Sequence, residues 1–261
     1  MLRLRAVFSL IMAFALSPVA TAGTLEKAQA AYESGGYAES SKLYLEYVEA
    51  EASSPNGSVF HNLGLAFDRE KELGPAVAAY LRALQLRPRQ DDFQYNLRFL
   101  LGKAEDKLDS NFPVPTSERL FPSHIASEHE IFYAGLVFLV LTALFMSYGI
   151  LQTRLKKSAL SVSGIAALLT IYCSIGLYLK VNHTHDVGAI SAPKVEAYSG
   201  PTQSVVIFEL HEGAPFQIVD SSGDWVKIEL SDQKRGWVRK EGIVSFGRDQ
   251  IILPPHVSSK S

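Results

Sequence analysis

The chain has 261 residues, 47% of them hydrophobic, and a formal net charge of -2. A nearly neutral chain lacks the concentrated basic surface that phosphate binding needs, so nucleic acid is excluded as the expected partner. Its apolar leader and two long apolar runs leave soluble segments too short for a large enzyme core. The single cysteine, Cys173, excludes an intramolecular disulfide and a cysteine-ligated structural zinc site.

Residues 1–22 predict a secretory signal peptide. Two arginines near the N-terminus precede an apolar run over residues 6–16, and a small-residue cleavage site ends at Ala22. Because the apolar run is too short to span a bilayer, we expect cleavage after Ala22, with an uncleaved anchor as the alternative. Either way, the segment that follows is expected to be exported.

Residues 23–110 carry a tetratricopeptide-like pattern. Small residues recur where paired helices would touch, aromatic residues recur where the space between helices must be filled, and a proline ends the second helix. The clearer copy consists of Phe60, Leu63, Gly64, Phe67, Ala76, Tyr80, Ala83 and Pro88, and the earlier one of Ala28, Ala31, Tyr32, Gly35, Gly36, Tyr37, Ser40, Tyr44 and Tyr47. Residues 91–107 predict a further, capping helix. The pattern predicts an all-α tetratricopeptide repeat domain, with an unrelated helical hairpin as the alternative.

The first helix of each repeat should line a concave face of aromatic and charged side chains, which suits a peptide or a partner helix. The repeat phase places on this face Gln29, Tyr32, Glu33, His61, Leu65, Asp68, Arg69, Tyr95, Phe99 and Lys103. We predict that the face binds a partner protein, the alternative being an ordinary solvated or self-packed surface. Since two repeats are fewer than stability usually requires, a partner that completes the stack is a further hypothesis.

A linker over residues 111–130 follows the helical segment. Its prolines break helical periodicity and predict an extended, semi-rigid connector. Ser127 and Glu130 have the spacing of a capping box, so a helix should start near Glu128.

Two transmembrane helices are predicted over residues 131–151 and 158–179. Both runs are uncharged, and at about 1.5 Å per residue each spans roughly 30 Å, the thickness of the hydrocarbon core of a bilayer. The positive charges of the loop between them, residues 152–157, are Arg154, Lys156 and Lys157. The positive-inside rule places this loop in the cytoplasm, and with the leader it predicts that both termini are periplasmic.

Residues 180–188 form a second linker that contains His183, His185 and Asp186. Two imidazoles and a carboxylate could hold a metal, but so short a segment is more typical of a polar loop at the membrane exit. We therefore predict no metal site and no cofactor.

Beyond the linker, the periodicity changes to two. Short runs of β-branched and aromatic residues alternate with turn residues over residues 189–247 and predict an all-β small barrel, followed by a flexible tail over residues 248–261. The motifs, in order, are Tyr198-Ser199-Gly200-Pro201-Thr202, Leu210-His211-Glu212-Gly213, Gly223-Asp224-Trp225-Val226-Lys227-Ile228 and Lys234-Arg235-Gly236-Trp237-Val238. Their order and spacing resemble the bacterial SH3 domain.

This resemblance implies binding of cell-wall peptides or proteins and implies no catalysis. The candidate ligand-binding residues are Tyr198, Trp225 and Trp237, and we expect the two tryptophans to lie partly in the core and partly at the surface, with or without a role in stacking on a ligand. Because the chain also lacks a glycine-rich phosphate loop, a zinc-binding helix motif and a serine nucleophile elbow, we expect no enzymatic activity.

The order of leader, repeats, two-helix hairpin and SH3 motifs resembles the BatE-type family of the Bacteroides aerotolerance (Bat) system. The resemblance implies an inner-membrane protein that acts in oxidative or envelope stress. It also implies Bat partners with von Willebrand A-type domains and a MoxR-type ATPase. The residues themselves predict a non-enzymatic membrane scaffold with two exported protein-binding modules. The alternative is a cell-wall tether that binds peptidoglycan, and a transmembrane sensor is disfavoured because the cytoplasmic loop is so short.

Overall fold

The computed structural model describes residues 23–50, 56–112, 119–151, 155–183, 185–202, 205–247 and 250–258. The predicted signal peptide and Arg154 lie outside these residues. The chain divides into two compact units, the first drawn from residues 1–83, 91–112 and 186–261 and the second from residues 84–90 and 113–185.

The N-terminal region is helical, as predicted. Helix α1 covers residues 23–33, and it is followed by α2 (Tyr37–Ala50), α3 (Gly57–Glu70), α4 (Leu73–Leu86) and α5 (Asp91–Lys103). Asn56 starts α3 by accepting a hydrogen bond from the Ser58 amide at 3.0 Å, and Lys71 ends it in the left-handed conformation.

Small residues lie where these helices touch. A Cβ atom added to Gly64 would lie 3.0 Å from the Tyr80 ring, and Ala76 is fully buried. Ser40 is also buried, and its hydroxyl donates to the Ala28 carbonyl at 2.8 Å. Burial of each aromatic side chain beside them, such as Phe67, contributes roughly 1.5–3 kcal/mol to the free energy of unfolding. This packing accounts for the residue types of both predicted copies.

The C-terminal region is an antiparallel sheet, here called the sheet domain (residues 187–252). Its strands are β1 (Val187–Ile190), β2 (Lys194–Tyr198), β3 (Val206–His211), β4 (Pro215–Ser222), β5 (Trp225–Glu229), β6 (Arg235–Arg239), β7 (Ile243–Phe246) and β8 (Ile251–Ile252). Their order is β3-β2-β6-β5-β4-β1-β7-β8. Alternating side chains such as Val226, Ile228 and Val238 enter one apolar core, as period-two patterning requires.

The sheet domain extends beyond the predicted barrel at its C-terminal end. Strand β8 lies in the segment expected to be a flexible tail, and it pairs with β7 through Ser245 and Ile252. Ile252 joins the apolar core, and a short helix, α8 (Pro255–Ser258), buries Val257 completely. A two-residue strand is too short to show alternation, so only its pairing reveals it.

The second unit contains two long helices, α6 (Glu128–Leu151) and α7 (Lys156–His183). The predicted capping box is present: the Ser127 amide donates to Glu130 Oε2 at 2.8 Å, and the Glu130 amide donates to Ser127 Oγ at 3.3 Å. Helix α7 begins earlier than expected, so Lys156 and its neighbour Lys157 occupy its first turn instead of the loop.

Helices α6 and α7 pack through small side chains. A Cβ atom added to Gly149 would lie 3.2 Å from the Ala159 Cβ, and the Ser163 hydroxyl donates to the Thr142 carbonyl at 3.1 Å. Close approach at small residues, with hydroxyls bonded to backbone oxygens, is typical of helix pairs in membranes. Among the described residues, α6 and α7 are long and apolar enough to cross a bilayer, which suggests membrane association.

Residues 84–90 contact the start of α6 and the end of α7. The Lys180 ammonium donates to the Gln85 carbonyl at 3.3 Å, and the Gln85 side chain donates to the His185 carbonyl at 2.8 Å. Arg89 forms an ion pair with Glu130. Polar contacts therefore hold this segment where α6 begins and α7 ends.

Candidate binding surfaces

The ten predicted partner-binding residues lie on α1, α3 and α5, and their surface is here called the helical face. The exposed members are Gln29, Glu33, Arg69, Tyr95, Phe99 and Lys103, and the half-buried members are Tyr32, His61, Leu65 and Asp68. The first helices of the predicted repeats and the capping helix thus contribute to one surface.

Side-chain contacts join the three helices across this face. The Arg69 guanidinium donates to the Tyr32 hydroxyl at 3.4 Å, which connects α3 to α1. The Lys103 ammonium lies 3.1 Å from Asp68 Oδ1, which connects α5 to α3. The face is therefore continuous from α1 to α5 and carries both signs of charge.

The α5 part of the helical face exposes two large aromatic rings. Tyr95 is 65% exposed and Phe99 is 54% exposed. The Lys103 ammonium lies 4.3 Å from the centre of the Phe99 ring, within the range of a cation–π interaction. Aromatic residues are enriched among the residues that dominate binding energy in protein interfaces, so this is the part of the face best suited to anchor a partner.

The ring of His61, a half-buried member of the helical face, packs against α5. Its ring stacks on Phe93 with centroids 4.3 Å apart, and its Nε2 lies 3.0 Å from the side-chain nitrogen of Asn96. Burial lowers the pKa of His61, while a hydrogen bond with Asn62 and the charge of Asp92 act in the opposite direction. A neutral ring that accepts from Asn96 fits this environment, so His61 joins α3 to α5.

The three candidate residues of the sheet domain cluster on its outer surface. Trp225 and Trp237 are half-buried, and their neighbours along β5 and β6 point into the core. Tyr198 meets Trp225 edge to face, with centroids 5.5 Å apart, and stands opposite Trp237 in the pairing of β2 with β6. The tryptophans thus combine partial burial with an exposed surface, as expected.

Two charged residues, Arg239 and Glu196, also belong to this cluster, and the sequence motifs did not predict them as site residues. The Arg239 guanidinium lies 5.1 Å from the centre of the Trp225 ring. The Tyr198 hydroxyl donates to Glu196, and that hydrogen bond raises the pKa of Tyr198. Alternation along β6 could have indicated Arg239, because it lies two residues after Trp237 and so on the same side of the strand.

In the structure, the predicted membrane-exit loop accepts hydrogen bonds through its backbone carbonyls. The His185 carbonyl accepts from Gln85, and the Asp186 carbonyl accepts from the Ile218 amide at 2.7 Å. Across the described ranges, no group of three or more histidine, cysteine, aspartate or glutamate side chains is arranged to hold a metal ion.

Comparison with known families identifies part of the sheet domain. Residues 191–244 match the family model of the bacterial SH3 domain. The matched residues include Tyr198, Trp225 and Trp237, and the resemblance drawn from the motifs is confirmed over this range. A bacterial SH3 domain is a module for binding proteins or the cell wall. No curated protein matches the chain.

Proposed function

We propose that this protein is a non-enzymatic inner-membrane scaffold that presents two exported binding surfaces, the helical face and the aromatic cluster of its SH3 domain. The observation that carries the proposal is the continuous helical face, which ends in exposed Tyr95 and Phe99. An anchored chain with two such surfaces can hold a membrane or periplasmic protein beside a second ligand.

The proposed topology places both surfaces in the periplasm. Support comes from the leader, from the two membrane-length helices and from the positive charges of Lys156 and Lys157 at the start of α7. Cysteine substitutions at Ser34, Ser221 and Leu155 in a Cys173→Ser background test it with a maleimide that cannot cross the membrane, and they leave the positive charges in place. In intact spheroplasts, positions 34 and 221 should be labelled and position 155 protected. Labelling at 155, or protection at either of the others, would contradict the topology.

We further propose that the scaffold belongs to a Bat complex in oxidative or envelope stress, with von Willebrand A-type Bat proteins as its partners. The support is the resemblance in the order of regions: a leader, tetratricopeptide-like helices, a two-helix hairpin and an SH3 domain. A MoxR-type ATPase would act in the same system.

Co-purification from native membranes tests the scaffold. The Arg69→Ala and Tyr95→Ala variants should lose the bound protein, because each truncates an exposed side chain of the helical face. Glu46→Ala is the control, since Glu46 is exposed on α2 and lies outside that face. Equal recovery of the same protein with all three variants would rule out binding through the helical face.

The second candidate function is a cell-wall tether that binds peptidoglycan through the SH3 domain. The observation that favours it is the cluster of Tyr198, Trp225 and Arg239 on the outer surface of the sheet. The full chain in detergent should be retained by purified peptidoglycan, and Trp225→Ala should reduce that retention. A wild-type protein that passes through unretained would eliminate the tether.

A further inference from the structure

The turn between β3 and β4 contacts the start of α4, within the first unit. The Glu212 carboxylate accepts hydrogen bonds from the amides of Leu73 at 3.1 Å and Gly74 at 3.4 Å. The first amides of a helix have no partner inside it, and the helix dipole favours a negative charge there. The sheet domain therefore supplies the cap of a helix in the repeat region.

Two glycines allow the helix and the sheet to approach this closely. A Cβ atom added to Gly74 would lie 2.3 Å from the Ile190 carbonyl oxygen, and one added to Gly213 would lie 2.8 Å from the Leu73 side chain. Gly213 also has a φ of 84°, a conformation that other residues rarely adopt. Glycine is thus required on both sides of the contact.

A second carboxylate joins the segment after α5 to the same turn. Asp106 Oδ2 accepts from the His211 amide at 2.6 Å, and Asp106 Oδ1 lies 3.2 Å from His211 Nδ1. Nearby, Leu108 packs against the apolar core of the sheet. On α3, Phe60 contacts Phe246 of β7 with ring centroids 5.7 Å apart. The contact therefore includes three parts of the helical region and combines apolar packing with hydrogen bonds.

We propose that the sheet domain caps the helical stack, so that helices α1–α5 and the sheet fold as one cooperative unit. The chain then supplies from its own C-terminal region the support that two repeats would otherwise need from a partner protein. The capping contacts involve α3, α4 and the segment after α5, whereas Tyr95 and Phe99 remain exposed. A ligand that binds only the folded state stabilises every part of the protein that unfolds together with its binding site. A ligand of either surface would therefore stabilise both the helices and the sheet against unfolding.

Thermal unfolding of the full chain in detergent tests this proposal with two intrinsic probes. Both tryptophans of the protein lie in the sheet domain, so their fluorescence reports the sheet, whereas far-ultraviolet circular dichroism reports the helices. Because α6 and α7 should stay helical in detergent, the circular dichroism transition that is compared is that of α1–α5. We expect the two transitions to coincide in the wild-type protein. Glu212→Ala and Asp106→Ala should separate them, because each removes hydrogen bonds that join the two parts and leaves both apolar cores intact.

Glu209→Ala is the matched control, since Glu209 lies on β3, three residues before Glu212, and its exposed ion pair with Lys194 at 2.8 Å joins two strands of the sheet. Hydrogen exchange at the Leu73 and Gly74 amides should be about fivefold faster in Glu212→Ala, the factor that corresponds to a typical capping contribution of about 1 kcal/mol. Two separate transitions in the wild-type protein would overturn the proposal. So would Glu212→Ala and Asp106→Ala proteins that unfold and exchange like Glu209→Ala.

Discussion

The ring of His61 lies nearly parallel to that of Phe93, with an interplanar angle of 19° and centroids 4.3 Å apart. This stack holds α3 against α5. Since burial lowers the pKa of His61, the folded state binds fewer protons than the unfolded state between the folded pKa and the unfolded value of about 6.5. Stability should therefore rise with pH through this window and be lost as the pH falls below about 6.5.

Replacing His61 with phenylalanine tests this dependence. The variant keeps an aromatic ring on Phe93 and cannot be protonated, so its melting temperature should change less between pH 7 and pH 5 than that of the wild-type protein. His185→Gln is the control, because His185 is exposed. An unchanged pH slope in His61→Phe would show that protonation of His61 does not destabilise the fold.

Gly64 and Gly102 should respond in opposite directions to substitution by alanine. A Cβ atom at Gly64 would lie 3.0 Å from the fully buried Tyr80 ring, which has little room to move, so Gly64→Ala should destabilise the protein by about 1 kcal/mol. A Cβ atom added at Gly102 would meet no described atom within 4 Å outside the backbone of its own helix, so the gain in helix propensity should stabilise α5 by up to about 1 kcal/mol. Chemical denaturation measures both changes, and shifts of the same sign would contradict the packing of Tyr80 on Gly64.

A disulfide should form between Cys173 and a cysteine placed at Gly135. A Cβ atom at Gly135 would lie 3.3 Å from the Cys173 Cβ, close to the separation found in disulfides. After oxidation with copper phenanthroline and denaturation in dodecyl sulfate, both thiols of Gly135→Cys should resist a maleimide label. In Gly164→Cys, whose added Cβ meets no described atom within 4 Å, both thiols should react after the same treatment. Full labelling of oxidised Gly135→Cys would show that α6 and α7 do not pack as described.

Arg235 is expected to stabilise the sheet domain by neutralising a buried carboxylate. Glu229 is buried, and it accepts from Arg235 Nε at 2.9 Å and from Gln217 at 3.0 Å. Arg235→Ala would leave the Glu229 carboxylate without its cation, and the variant should lose about 2 kcal/mol of unfolding free energy. This loss is smaller than that for a fully buried ion pair, because Arg235 is partly exposed. Lys234→Ala removes only an exposed pair with Asp232 and should cost less than about 1 kcal/mol. If unfolding followed by tryptophan fluorescence shows the same loss of stability in Arg235→Ala and Lys234→Ala, Arg235 does not stabilise the sheet by neutralising Glu229.

Local patterns predicted much of the architecture, because short-range chemistry determines it. The spacing of Ser127 and Glu130 located the start of α6, and a small residue at Gly64 marked the place where Tyr80 packs. Alternation along β5 placed Val226 and Ile228 in the core. In each case the interacting groups are close in sequence or belong to one repeat.

Long-range contacts could not be predicted in the same way. Glu212 and Leu73 are 139 residues apart, and nothing near either residue indicates that one caps the other. His61 fits the repeat phase of the helical face, but its burial depends on Phe93, which lies on another helix. Strand β8 depends on its pairing with β7, because two residues carry no periodicity.

The most direct test of the scaffold is site-specific photo-crosslinking in native membranes. A benzophenone side chain in place of Tyr95 should form one discrete adduct with a partner protein in spheroplasts, and an additional Arg69→Ala substitution should abolish that adduct. The same group in place of Glu46, on α2, should form none. If position 95 gives no adduct, or if positions 95 and 46 give the same adducts, the helical face is not the binding surface of this protein.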